Sequence, residues 1–196
     1  MVVNNMGDVN FENVKMMLRE SSNRVKDAYD HFQFLFKKIK WKTVSFTIPI
    51  APEPSHRPRL CGYRVYVPGA AKNQSYFDKN VRPKLNGLFI DTPCKMVIDL
   101  YCQTPKSFSS TQKILAEMKF IRPWVNTGDV DNYTKTILDE IQPNEKRKHV
   151  GIMSNDCLVI ETIVNKYYSI TPRSEIIISY MDKIPSDLMR IMRLDK

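Results

Sequence analysis

Glycine is scarce, six in 196 residues, and none repeats at the spacing of a phosphate-cradling loop, which excludes a P-loop or a dinucleotide fingerprint. Long apolar runs are missing too. None approaches the roughly 20 residues that cross a bilayer, and Met1-Val2-Val3-Asn4-Asn5 has no basic stretch leading into an apolar segment. A cytoplasmic protein with no membrane partner is expected. Only three histidines occur, and the four cysteines, Cys61, Cys94, Cys102 and Cys157, fall at no zinc-finger spacing, which leaves free thiols in a reducing compartment. His31 and His56 lie in stretches without a partner nucleophile, and Cys157 reads as a small packed residue. Trp41, Trp124, Tyr167 and Tyr168 read as core or interface and not as base-stacking platforms, by burial tendency.

Acidic charge is in the minority. Thirty Lys and Arg stand against twenty-one Asp and Glu, a formal charge of +9, which suits nucleic acid or another anionic partner. The length suits one domain with extensions.

Apolar Val25, Ala28, Tyr29, Phe32, Leu35, Phe36 and Ile39 recur at helical intervals and predict an amphipathic helix over 22–39, with Ser21 or Ser22 as its cap. The stretch 11–18 forms a separate helix or continues into it. Strands are predicted at 44–48, 63–67, 95–103, 157–168 and 175–180, and helices at 75–85, 109–120 and 131–142. Pro52, Pro54 and Pro58 make an extended loop carrying His56, Arg57 and Arg59. The fold class is α/β (α+β), a mixed sheet flanked by helices.

Against the basic background, acids gather in Gly128-Asp129-Val130-Asp131-Asn132-Tyr133-Thr134-Lys135, and again at Asn155-Asp156-Cys157-Leu158-Val159. At 100° per residue, Val130, Tyr133, Thr134, Ile137, Leu138 and Ile141 share one side of the motif helix, while Asp131, Lys135 and Asp139 follow a neighbouring stripe. An isolated Asp-x-Asp is usually a helix cap, with Asp131 and Lys135 an ordinary ion pair worth at most about 0.5 kcal/mol. A third acid, Asp156, opens a strand after a loop, so a helix and a strand can bring three carboxylates to one hard cation. Such a site can activate water and neutralise charge developing on a phosphate, with Lys135 stabilising the transition state or the leaving oxygen.

At these residues the chain resembles the RusA family of Holliday-junction resolvases. The family pattern Asp-x-Asp-Asn-x-x-Lys-x-x-x-Asp is met by Asp129, Asp131, Asn132, Lys135 and Asp139. It is followed by Asn155-Asp156-Cys157-Leu158-Val159 and by Lys166. Arg57-Pro58-Arg59, Tyr66-Val67-Pro68 and Thr104-Pro105-Lys106-Ser107 resemble family features in the right order. The resemblance implies residues 1–40 as an N-terminal helical extension, 41–185 as the endonuclease domain and 186–196 as a tail. It also implies a homodimer of phage or prophage type that nicks four-way junctions symmetrically with Mg²⁺, or Mn²⁺ as substitute. Asp129, Asp131 and Asp156 would hold the metal and Lys135 would complete the catalytic set. The family's usual Lys-Pro before the first acid is replaced by Thr127-Gly128, and Asn155 stands where the family has another acid.

Arg57, Arg59, Lys146, Arg147, Lys148 and Lys166 are candidates for DNA phosphates; for the run at 146–148 a solvated loop is the competing reading. Asp139 and Glu161 are left open. The rival function is a non-catalytic branched-DNA or RNA binding protein with a structural cation.

Overall fold

Strand β4 (Cys94–Gln103) alternates strictly, with Cys94, Met96, Ile98, Leu100 and Cys102 buried and the residues between them half-buried. A period of two separates a core face from an outer face. In the computed structural model, which describes residues 11–55, 59–61, 64–66, 70–124 and 127–191, β4 is central to a four-stranded mixed sheet. The sheet also contains β1 (Lys40–Ile48), β5 (Val159–Ser169) and β6 (Arg173–Lys183), in the order β1-β6-β4-β5. β5 runs parallel to β4 and β6 antiparallel to it.

The described helices are α1 (Phe11–Glu20), α2 (Asn23–Phe36), α3 (Ala70–Asn80), α4 (Ser110–Glu117), α5 (Val130–Ile141) and α6 (Ser186–Ile191). Phe77 and Val81 from α3 and its end, Ala116 from α4, and Tyr133, Ile137 and Ile141 from α5 join the even-numbered side chains of β4 in one core with Ile176 and Ile178. On the other face Lys95 pairs with Glu161 at 2.6 Å and Asn165 donates to Asp99 at 2.8 Å. This is the expected mixed sheet with helices, and the N-terminal helical region is present.

The chain divides into two compact units, Trp41–Met181 and a second built from the residues up to Lys40 with those from Asp182 onward. In the latter, α1 and α2 are separate helices, and buried Leu35 and Leu188 lie in α2 and α6.

Several boundaries differ from the sequence expectation for physical reasons. The helix expected over 75–85 is α3 followed by a separate 3₁₀ turn, Arg82–Leu85, because Pro83 lacks the donor an α-helix needs. The strand expected from 157 begins at Val159, because the Asn155 side chain accepts from the Cys157 N–H and winds Asp156–Leu158 into a 3₁₀ turn. Cys157 is therefore exposed rather than packed. Within the stretch read as an extended loop, β2 (Arg59–Cys61) pairs antiparallel with β3 (Arg64–Tyr66), Arg59 opposite Tyr66.

Candidate active site

Helix α5 carries the acidic motif, and its sequence fixes which way each side chain points. Tyr133, Ile137 and Ile141 are buried at four-residue steps, the spacing of one helical stripe. Asp131, Lys135 and Asp139 follow the adjacent stripe, and with Thr134 and Leu138 they form one wall of a cleft of about 400 Å³. Asp156, in the turn before β5, and Thr162 and Val164, on β5, form the other wall. The two separated acidic segments thus meet across one opening. Val130, expected on the core side, is 41% exposed, and Thr134 lines the cleft; Leu138 also lines it while packing against the core as expected, and Glu140 is buried as well.

Asp129 stands at the N-cap of α5, yet its side chain makes no capping hydrogen bond. It is exposed and lies outside the cleft lining. Among the described residues no ion pair joins Asp131 to Lys135. Both carboxylates lie in or beside the first turn, where the helix dipole favours negative charge.

Asp139 belongs to the same cleft. Its pKa is raised, first by desolvation and then by the Asp156 carboxylate, while the charges of Lys135 and Arg147 oppose the shift. Two acids repelling each other beside a lysine form a site poised to accept positive charge. Among the described residues, no group of three His, Cys, Asp or Glu side chains is placed so that it could hold a metal ion. Glu161 is excluded from the cleft by strand parity: Thr162 and Val164 face the cleft, and Glu161 faces Lys95 on the opposite side of the sheet.

Parity also places Lys166 on the helix side, where its ammonium donates to Thr127 Oγ1 at 3.0 Å and to the Gly128 carbonyl at 2.9 Å. It thereby anchors the turn that leads into Asp129. Gly128 immediately precedes Asp129. A Cβ there would lie 2.5 Å from the Pro54 Cβ, so only glycine permits this contact. The Ser55 N–H donates to the Asn132 carbonyl at 2.9 Å, completing the seam between this loop and α5.

The other basic candidates are dispersed. Lys146 and Lys148 are exposed, and Lys148 adopts φ 54° after the 3₁₀ turn Glu145–Arg147. Arg147 donates to Gln74 Oε1 at 3.0 Å, and Gln74 Nε2 donates to the Asp139 carbonyl at 2.7 Å. Gln74 thus links the basic turn to the cleft helix. It carried no sequence signal, because an amide on a helix reads as a solvated face. Arg59 lies in β2, and Arg57 lies outside the described residues.

The segment 142–154 is not a simple solvated loop. His149 is buried, with Nδ1 2.7 Å from Asp78 Oδ2 and Nε2 2.6 Å from the Glu140 carbonyl, and Ile152 and Met153 are core residues. Of the four aromatics expected in core or interface, Trp124 and Trp41 are 79% and 42% exposed, whereas Tyr167 and Tyr168 are buried.

Residues 49–179 match the family model described as Endodeoxyribonuclease RusA. The chain is also similar to "Uncharacterized protein YqaN" of Bacillus subtilis (strain 168), 32% identical over 146 residues that cover 69% of this chain and 94% of that protein. The matched span contains the whole cleft, both acidic segments and the strands β4 and β5 that position them, and the chain belongs to the RusA endodeoxyribonuclease family.

Proposed function

We propose that this member of a nuclease family is a Mg²⁺-dependent, structure-specific endodeoxyribonuclease that resolves four-way DNA junctions by paired nicks, acting as a homodimer. The observation that carries this reading is the cleft in which Asp131 and Asp139 of α5 face Asp156 across from β5, with Lys135 between the acids on the helix. Carboxylate oxygens are the donors Mg²⁺ prefers. That ion is usually held by one or two carboxylates plus water and substrate phosphate, which suits an open cleft better than a closed cage.

Asp131 and Asp156, with Asp129 at the N-cap of α5, are assigned as the residues that would hold the ion. When bound, it would supply positive charge to the scissile phosphate and acidify the attacking water. Lys135 offers an ammonium to phosphate oxygens whose charge rises in the transition state. Asp139 keeps that ammonium within a carboxylate's field, and Lys166 holds the Thr127–Gly128 turn so that Asp129 enters α5 in one position. Lys146 and Lys148 are assigned to non-specific phosphate contact, and Arg57, Arg59 and Arg147 to the same role by the charge they add. Two-fold symmetry would supply the two linked sites that paired nicking needs.

The test is cleavage of a labelled four-way junction against linear duplex, in Mg²⁺ or EDTA, by wild type and Asp131→Asn. Metal-dependent paired nicks that Asp131→Asn abolishes while binding survives support the reading. Junction binding by the wild type without nicking in Mg²⁺ or Mn²⁺ replaces it with a binding protein whose acids serve structure.

A further inference from the structure

Trp124 and Phe120 are the two most exposed large apolar side chains among the described residues, 79% and 71%. Their exposure is built into the chain. Helix α4 ends with Lys119 at φ 64°, the Lys119 N–H bonding the Ala116 carbonyl and the Phe120 N–H reaching back to the Leu115 carbonyl at 3.0 Å. This closing turn fixes the direction in which the chain leaves the helix. The next residues alternate: Phe120, Arg122 and Trp124 point outward, Ile121 packs against the core and Pro123 is buried. A segment held by two inward anchors exposes two aromatic rings and a guanidinium within five residues.

The neighbouring charge is positive. The Lys119 ammonium lies 4.1 Å from the centroid of the Tyr167 ring and the Arg122 guanidinium 4.9 Å from it, so both cations are steadied on an aromatic face while remaining exposed. The segment also connects directly to the acidic motif. The Thr127 N–H and hydroxyl both donate to the Trp124 carbonyl, at 3.2 and 2.9 Å, and Lys166 ties Thr127 to Gly128 immediately before Asp129.

Exposed aromatic faces beside fixed cations are the chemistry that stacks unpaired bases while neutralising their phosphates. A second copy of the same chain, also carrying +9, would bring like charge against this surface. We propose that Trp124 and Phe120 form a wedge that stacks on nucleobases unpaired at the branch of the DNA substrate, with Lys119 and Arg122 holding the adjoining phosphates. The inference rests on the junction-nuclease reading above and adds to it the element that distinguishes a branch from a duplex.

The chain has two tryptophans, so a Trp41→Phe protein reports Trp124 alone. In EDTA, its emission should be quenched by a four-way junction more than by linear duplex of equal length, and 2-aminopurine at the branch should brighten as it unstacks. Trp124→Ala combined with Phe120→Ala should weaken junction binding roughly ten- to a hundredfold more than duplex binding. Trp124→Phe should restore most of it, and the melting temperature should stay at the wild-type value. Wild-type junction affinity in the double alanine variant, with no quenching of Trp124, overturns the wedge. So does loss of a wild-type dimer on sedimentation of that variant, which would make the patch a contact between copies. If the wild type nicks junctions in Mg²⁺ and the alanine variants match it, only the wedge fails; a wild type that neither binds nor nicks junctions removes both readings.

Discussion

Asp139 and Glu140 are adjacent in sequence and opposite in environment. Asp139 faces the cleft with Asp131 and Asp156, within the fields of Lys135 and Arg147. Glu140 is 4% exposed and points into the protein, where burial raises its pKa to about 7; an Asn73 hydrogen bond opposes the shift and the charges of Glu53 and Asp139 add to it. A single helix therefore carries acids of two kinds, one set free to meet a cation and one held close to neutrality. The difference shows that charge count alone does not identify a site: what matters is which face of α5 a carboxylate occupies and what stands opposite.

The largest expected effect is on the cleft side. Asp131→Asn removes the carboxylate charge without changing shape, and nicking should fall by about 10²–10³ or more, the scale of losing one preorganised electrostatic partner. Stability should stay within about 0.5 kcal/mol, because Asp131 is exposed. Single-turnover cleavage together with urea unfolding measures both quantities. Equal losses of activity and stability would erase the distinction between the two faces.

Glu140 should show the reverse. Its folded pKa lies above the unfolded value of 4.5, so folding favours the protonated acid. The stability this provides is complete below about pH 4.5 and is lost as pH rises towards 7, by at most about 3 kcal/mol from a shift of this size. Glu140→Gln should flatten that decline and be more stable than wild type at pH 8. Urea midpoints at pH 5 and pH 8 decide it; parallel curves for the two proteins would place Glu140 in a solvated setting.

The junction between these faces and segment 142–154 can be tested at Gly151, which has φ 65° and whose Cβ, if present, would meet the Ile141 carbonyl. That carbonyl accepts from the Ile152 and Met153 N–H groups at 2.7 and 3.1 Å. Gly151→Ala should cost about 1–3 kcal/mol through the strained conformation and the lost close approach. Thermal unfolding reads the loss, and a smaller effect would show that the end of α5 can yield.

Smallest of all is Glu161→Gln. Its partner is Lys95 across the outer face, so the change should cost under about 1 kcal/mol and leave nicking unaltered. Loss of cleavage in this variant would mean that the outer face takes part in the reaction.

Much of this organisation was present in local pattern. The spacing of Asp129, Asp131, Lys135 and Asp139 already implied a helix with acids beside an apolar stripe, and the alternation within 95–103 implied a half-buried strand. Ser109 with Gln112 forms a complete capping box at the start of α4, where the serine-rich stretch suggested a helix cap. These features depend on bonds and angles within a few residues, and a few residues are enough to encode them.

Tertiary structure decided the rest. Glu161 left the cleft because β5 lies parallel to β4 in a register that sets it against Lys95, and Asp139 joined it because α5 stands beside Asp156 and β5. His149 reads as part of a polar run until Asp78 of α3 and the Glu140 carbonyl enclose it. Whether Trp124 lies in the core or at the surface is decided by the buried Pro123 and the Thr127 hydrogen bond that hold it outward. In each case the outcome depends on a neighbour far along the chain, and local periodicity gives the direction of a side chain without giving what it meets.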